Sequence, residues 1–306
     1  MTSVTTNAAA RRHGAWRRNQ RRLAPLMFIA PGALMFLVYV VVPIFRSMSI
    51  SFYDWDGMGA MKWIGFGNYV ELWSDPAFLV SLENNLIWLV LYMLAVPAGL
   101  FIAIFLNQNV RGIRIYKSLF FFPFVISQVV VGLIFTWFYA PDFGLLFKLT
   151  QMLTGTGTAI LADERYATYG IIVAGLWPQI AYCMILYLTG LNNVAPDQVE
   201  AARLDGAKGW KMLWYVIIPQ LRPATFIAVV VTVIGALRSF DLVSIMTQGG
   251  PYGSTRVLSY YMYEQALSEY GYRMGYGAAI AVVLFFIMMV FISGFIWKMY
   301  RDETER

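Results

Sequence analysis

Long unbroken apolar runs, not amphipathic stripes or strict alternation, dominate this chain. Six of them cover Leu23–Phe45, Leu86–Leu106, Leu119–Ala140, Tyr169–Leu191, Ala224–Met246 and Gly277–Trp297. Each is close to the roughly 20 residues a helix needs to cross a hydrocarbon core about 30 Å thick. Helix is expected over strand because every backbone polar group must be satisfied inside lipid. The runs are also far longer than the ~10-residue alternating strands of a membrane barrel. The pattern predicts an all-α polytopic membrane protein with six transmembrane helices. Only the fifth run contains charged residues, Arg238 and Asp241.

Composition agrees with this reading, since 59% of the 306 residues are hydrophobic and 13% charged, against about 25% charged in soluble domains. The net charge of +6 does not point to nucleic acid, because the charges sit between the apolar runs. On one side of the predicted spans lie 16 Lys and Arg, in stretches around Arg11–Arg22, Arg111–Lys117, Arg203–Arg222 and Lys298–Arg306; on the other lie six, with Arg238 inside a run. Positive loops stay in the cytoplasm, so both termini are expected there. Residues 1–22 read as a basic cytoplasmic segment, 23–300 as the transmembrane domain and 301–306 as a tail. The first run is longer than a signal-peptide core and is read as an uncleaved span. Arg11–Arg22 can lie on the anionic leaflet as an interfacial helix or remain a disordered positive tail. One cysteine, Cys183, allows no internal disulfide and reads as a small packing residue; one histidine, His13, leaves no Ser/His/Asp triad or His-rich metal site.

Most connections are short, whereas the predicted cytoplasmic loop 192–223 is long. Pro196-Asp197 is a good helix start, Val199, Ala202 and Leu204 offer an apolar side, and Gly206 stops the turn. A short helix, a turn and a second short helix ending at Pro219 are predicted. Read alone, such a unit either serves a partner or merely joins two spans.

At this point the sequence resembles the integral membrane subunits of binding-protein-dependent ABC importers. Their signature is Glu-Ala-Ala, three residues, Gly, nine residues, Ile, one residue, Leu-Pro. Glu200, Ala201, Ala202, Gly206 and Pro219 match at that spacing, with Val216 and Ile218 in place of Ile and Leu. Asp205-Gly206-Ala207 is similar to the sugar-importer version. Trp63–Tyr69 resembles the Gly-x-x-Asn-Tyr element outside the first span, and Asn84 the residue that opens the second, with Asn85 where Thr is usual. Phe240-Asp241 and Thr247-Gln248-Gly249-Gly250-Pro251 resemble the Phe-Asp and Thr-x-Gly-Gly-Pro elements. The likeness runs from about residue 25 to 300 and points to carbohydrate permeases of the maltose, oligosaccharide and glycerol-phosphate type. It implies a coupling helix built on Glu200, Ala201, Ala202, Asp205, Gly206, Ala207 and Pro219 that inserts into a cleft on a cytoplasmic ATPase. It also implies a second homologous permease, two ATPase copies, an extracytoplasmic solute-binding protein and a bacterial inner-membrane location. ATP and Mg would sit on the ATPase, with no cofactor or metal on this chain, since no Gly-x4-Gly-Lys-[Ser/Thr] loop occurs.

Polar groups inside spans are costly and tend to face a cavity or a partner. Gly175, Gln179 and Tyr182 share one helical face beside Trp177, and Thr232, Gly235 and Ser239 share another beside Ala236. By the resemblance, both trios fall where maltose-type relatives line their sugar site. Gln179, Tyr182, Thr232, Ser239 and Trp177 have the hydroxyl-bonding and stacking chemistry sugars need; Gly175 and Gly235 equally suit close helix packing. Arg238 and Asp241, three apart, are expected to pair with each other or across a subunit interface, though Arg238 also suits a phosphate or sulfonate. Ser127 and Gln128 are weaker candidates. A stand-alone carrier would be expected to show an inverted repeat, and an intramembrane enzyme more than one buried acid; neither is found.

Overall fold

The computed structural model describes residues 25–108, 111–268 and 272–304; the basic segment 1–22 lies outside them. The chain divides into two units, one ending at Ile50 and one beginning at Ser51. In the first, α1 is a helix Pro25–Ile50 with a π-helical turn at Leu37–Val41, and none of its most apolar stretch is buried.

The second unit begins with a small hairpin, β1 (Tyr53–Asp54) antiparallel to β2 (Lys62–Trp63). A helix α2 (Gly67–Ser74) follows, then α3 (Pro76–Tyr92) and α4 (Ala95–Leu106), which together make one span, Pro76–Leu106. This span starts ten residues before the apolar run that announced it. Asp75 caps it by accepting the Ala77 N–H at 2.9 Å, and Pro76 occupies the first turn, where its missing N–H costs nothing. Glu83, Asn84 and Asn85 stand before the run, inside the helix.

The third run differs from its expected form. It is two helices, α5 (Ile113–Val125) and α6 (Gln128–Tyr139), bent 98° at the break. Pro123 removes a helical donor, Ile126 is extended, and Ser127 starts the new helix by accepting the Val130 N–H at 3.4 Å. After α7 (Leu145–Thr154), α8 (Ala167–Asn192) is a continuous span despite Pro178. Gly99 lets α4 lie against it: a Cβ there would come within 2.5 Å of Cys183 Cβ and 2.8 Å of the Met184 nitrogen.

Then come α9 (Pro196–Leu204), α10 (Trp210–Gln220), α11 (Arg222–Leu237), α12 (Phe240–Met246), α13 (Leu258–Leu267) and α14 (Met274–Thr304). The second helix of the long loop ends at Gln220, one residue past Pro219. A π-helical turn at Leu213–Ile217 precedes the proline, and the 70° bend falls one residue after Gln220. The fifth run is also broken, because α11 stops at Leu237 and α12 resumes at Phe240. Among the described residues four helices are long and apolar enough to cross a bilayer, and up to six spans result if each bent pair is one span. The core runs from Leu72 and Phe78 through Trp88, Ile171 and Val243 to Leu258 and Ile280, joining α3, α6, α8, α11 and α14.

Candidate functional site

The loop unit shows why its residue types are spaced as they are. In α9, Asp197 lies in the first turn and Arg203 in the last, each suited to the helix dipole. The helix closes with Gly206 at φ +85°, its N–H bonding the Arg203 carbonyl at 3.1 Å and the Ala207 N–H reaching the Ala202 carbonyl at 2.9 Å. These two bonds with a left-handed residue form a Schellman cap, which favours glycine at that position. Gln220 ties the unit together: its Oε1 accepts the Ala195 N–H at 3.0 Å while its Nε2 donates to the Val216 carbonyl. Glu200, Ala201, Asp205 and Gly206 are exposed, and Ala202, Ala207 and Pro219 are half-buried. Glu200 and Arg203 flank a cleft of about 340 Å³ against Asn107 and Leu191. Large apolar side chains around it stand in the open, with Leu204 at 89% and Trp210 at 75% exposure.

In the interior, the structure brings together some of the polar residues expected on the path and separates others. Gln179 Nε2 donates to Thr232 Oγ1 at 2.9 Å across α8 and α11, and Cys183 Sγ lies 3.5 Å from the same hydroxyl. Gly235 borders this pair, since a Cβ there would lie 3.5 Å from Gln179 Oε1. Gly175 is a packing glycine, because a Cβ would meet the Tyr92 hydroxyl at 2.7 Å and Leu242 at 2.8 Å. Tyr92, a residue the sequence reading passed over, donates its hydroxyl to the Gly175 carbonyl at 2.9 Å. Trp177 packs edge-on to Phe135, and Tyr182 stacks on Phe124. Thr232 and Ala236 are fully buried; Ser239 spends its hydroxyl on the Ala236 carbonyl at 3.0 Å.

Arg238 and Asp241 do not share a helical face, because the chain breaks between them. Both are exposed, and the ion pairs among the described residues are Arg256–Glu264 and Arg273–Glu71, so the expected pairing within the chain does not form. Ser127 and Gln128 lie at the other break. From there α6 runs along α12, Gly132 allowing close approach to Ile245.

At the opposite end of this unit from α9, a polar lattice fixes the Thr247–Pro251 motif. Asn84 Nδ2 donates to the carbonyls of Ser254 (2.6 Å) and Arg256 (2.8 Å), and Asn85 Oδ1 accepts the Leu258 N–H at 2.7 Å. Thr168 Oγ1 adds a bond to the Ser254 carbonyl at 3.3 Å. Thr255 bridges Thr247 and the Gly250 carbonyl, both at 2.8 Å. Asp75 Oδ2 accepts the hydroxyls of Tyr276, at 2.6 Å, and Tyr261. Burial works to raise the Asp75 pKa, but those hydroxyls and the Ala77 N–H outweigh it and hold the carboxyl below its ordinary value. Asn68 Nδ2 donates to the carbonyls of Ser51 and Tyr53, giving the Gly-x-x-Asn-Tyr element its structural work. Asn84, with Asn85 beside it, was singled out in the sequence by the resemblance; the segment it clamps was not legible there.

A set of apolar spans, two of them broken, with a capped helical hairpin at one end of the second unit, marks a polytopic membrane protein. Residues 95–301 match the family described as binding-protein-dependent transport system inner membrane component, and the chain belongs to it. A probable ABC transporter permease, YurN of Bacillus subtilis, is 35% identical, the match covering 94% of this chain and 99% of that protein. The lactose transport system permease LacF of Rhizobium radiobacter is 32% identical, over 88% and 91% respectively. A subunit of a bacterial ABC transporter that imports the acidic polysaccharide alginate has the same fold, with a TM-score of 0.76 at 22% identity over 90% of this chain and 96% of that one. The chain is thus a non-catalytic permease subunit of an ABC importer in the inner membrane.

Proposed function

We propose that this chain imports a sugar or oligosaccharide, paired with a second homologous permease and driven by two copies of a separate ATPase that carry the ATP and Mg. A solute-binding protein delivers the substrate to the end built on Asn84 and Asp75, and the α9 end faces the cytoplasm with the basic loops. The observation that carries the coupling is the Schellman-capped, exposed α9 with bare Leu204 and Trp210 beside it. A rigid protruding helix can transmit motion, and uncovered large apolar side chains at a polar surface fit a protein partner. Glu200 supplies a carboxylate for that partner's donors.

Carbohydrate is supported by relatives named for lactose, arabinooligosaccharides and starch degradation products. Gln179, Thr232, Gly235 and Tyr182, with Gly175, Trp177, Ala236 and Ser239 as their supports, form this chain's side of the path. Exposed charge at bilayer depth costs about 2.5–3.5 kcal/mol on insertion scales, so Arg238 and Asp241 face the second subunit or the path, not lipid. A glycerol-phosphate substrate is the second reading, favoured by exposed Arg238 and by a relative named for sn-glycerol-3-phosphate transport. Transport proceeds by alternating access, α9 linking ATPase closure to the membrane pair.

The test is ATP hydrolysis by the chain reconstituted with the permease, ATPase and binding protein encoded beside it, across a panel of sugars. Stimulation that needs both the binding protein and one sugar is expected, and Glu200→Lys should abolish it while the permease pair still assembles. Hydrolysis indifferent to sugar and binding protein, or unchanged in Glu200→Lys, overturns the reading.

A further inference from the structure

A cleft of about 540 Å³ opens at the Asn84 end, between the start of α3, the start of α8 and the loop Tyr252–Arg256. Its walls come from three distant stretches of chain, yet Asn84 and Thr168 bind them to one another through the Ser254 and Arg256 carbonyls. The cleft is therefore preformed, and a ligand would not have to order it.

Its side chains form an unusual set for a mere loop junction. Tyr252 is 94% exposed at φ +50°, and Tyr169 shows a second open ring. Positive φ is unusual for a non-glycine residue, and at Tyr252 the hydrogen-bonded Gly249–Arg256 turn holds the backbone there with its ring open to the cleft mouth. Glu83, Glu164 and Arg165 are exposed and take part in neither ion pair described above. Ser254 Oγ is buried without a hydrogen-bond partner among the described residues. The other guanidinium at the cleft, Arg256, is held bidentate by Glu264, with both contacts at 2.6 Å.

We propose that this cleft is an outer carbohydrate subsite, taking one or two units of a neutral sugar before the substrate enters the span region. Tyrosine faces stack on the C–H side of a pyranose or furanose ring, and carboxylates accept paired hydroxyls in bidentate fashion. Among the described residues the lining holds Glu83 and Glu164 against Arg165, with Arg256 offset by Glu264, and this negative balance disfavours phosphate or uronate groups by like-charge repulsion. The inference rests on the sugar reading and on this end facing outward, and it narrows the cargo to uncharged sugars.

The test places a fluorophore at Val80→Cys, an exposed position lining the cleft; the native Cys183 is buried and out of reach of the label. The labelled chain is assembled with its partner permease and ATPase in nanodiscs, and lactose, arabinotriose, maltotriose and trigalacturonate are titrated without binding protein. Uptake by the complete transporter is measured with the same four probes. Expected is a saturable signal for a neutral sugar that is also transported, at least tenfold weaker half-saturation in Tyr252→Ala and in Glu83→Gln, recovery in Tyr252→Phe, and a tenfold or greater preference over trigalacturonate. A transported sugar that leaves the signal unmoved, or moves it equally in Tyr252→Ala, overturns the subsite while leaving the importer reading intact. A signal produced by binding protein without sugar assigns the cleft to protein docking and also overturns it. If no sugar is transported by the complete system, the carbohydrate reading itself falls, and the subsite with it.

Discussion

Asn84→Ala is expected to release the Thr247–Leu258 loop while leaving the spans folded. Asn84 is 6% exposed and its amide serves two carbonyls, at 2.6 and 2.8 Å, on a segment about 170 residues away in sequence. The lost bond to Ser254, whose carbonyl keeps the Thr168 hydroxyl, contributes about 1 kcal/mol net, and the Arg256 carbonyl left without this donor costs about 1–3 kcal/mol. Water reaching the vacated site offsets part of that, so a loss of about 2–4 kcal/mol in the local closing energy is expected. At about 1.4 kcal/mol per tenfold, that corresponds to amide exchange roughly 30- to 700-fold faster in this segment. The readout is hydrogen–deuterium exchange by mass spectrometry on peptides covering 247–258, which contain the Ser254, Thr255 and Leu258 amides held in the loop. Peptides from α8 serve as the internal control and should be unchanged. Asn84→Asp should be at least as disruptive, because it sets a carboxylate against the same two carbonyls. Exchange within threefold of wild type in 247–258 would refute the assignment of Asn84 as the clamp.

Other perturbations test separate parts of the molecule. Gly99→Ala should force α4 from α8 and cost about 1–3 kcal/mol, read as a lower melting temperature in detergent. Cys183→Gly should restore part of the loss in the double variant, and equal losses with and without it would argue against the contact. Because Asp75 is depressed in the folded chain, its contribution is full above the ordinary carboxylate pKa and fades as the pH falls through its lower folded value. Melting curves should thus weaken on the acid side, and Asp75→Asn should flatten that slope while lowering stability at neutral pH. Gly206→Ala should cost about 1 kcal/mol at the cap and reduce stimulated ATPase; Gly206→Asn, which tolerates the left-handed region, should be milder, and the reverse order would sink the cap argument.

Much of this architecture is written in local chemistry. The apolar runs mark the spans because span length is fixed by the bilayer, and the Glu200–Gly206 spacing marks a capped helix because only a few residues fit a left-handed C-terminal position. The breaks were hidden because hydropathy is blind to helix continuity: Ser127 interrupts a run that stays apolar on both sides, and the polar cluster Arg238–Asp241 around Ser239 read as a charged pair on a continuous helix. The early start of α3 was masked by Glu83, Asn84 and Asn85; the two asparagines serve partners more than 160 residues away. Arg238 and Asp241 had the right spacing for a pair on a continuous helix, and the break removed that premise. Gly175 showed that a polar-looking stripe can be a packing seam; its neighbour Tyr92 packs on Trp88 of its own helix, but the hydroxyl's partner, the Gly175 carbonyl, is set by tertiary structure.

The lattice around Asn84 and Asp75 also sets an order of assembly. Asp75 and Glu71 near the start of the second unit find their partners, Tyr276 and Arg273, some 200 residues later, at the start of the last span. Loop closure over such separations is entropically unfavourable until the intervening chain is in place. Early spans must therefore wait in the membrane with this end unlatched, and the emergence of α14 closes it. A chain cut short before Arg273 would keep most of its apolar helices and lose the latch, leaving Asp75 and Glu71 without these partners as a mark of incomplete synthesis.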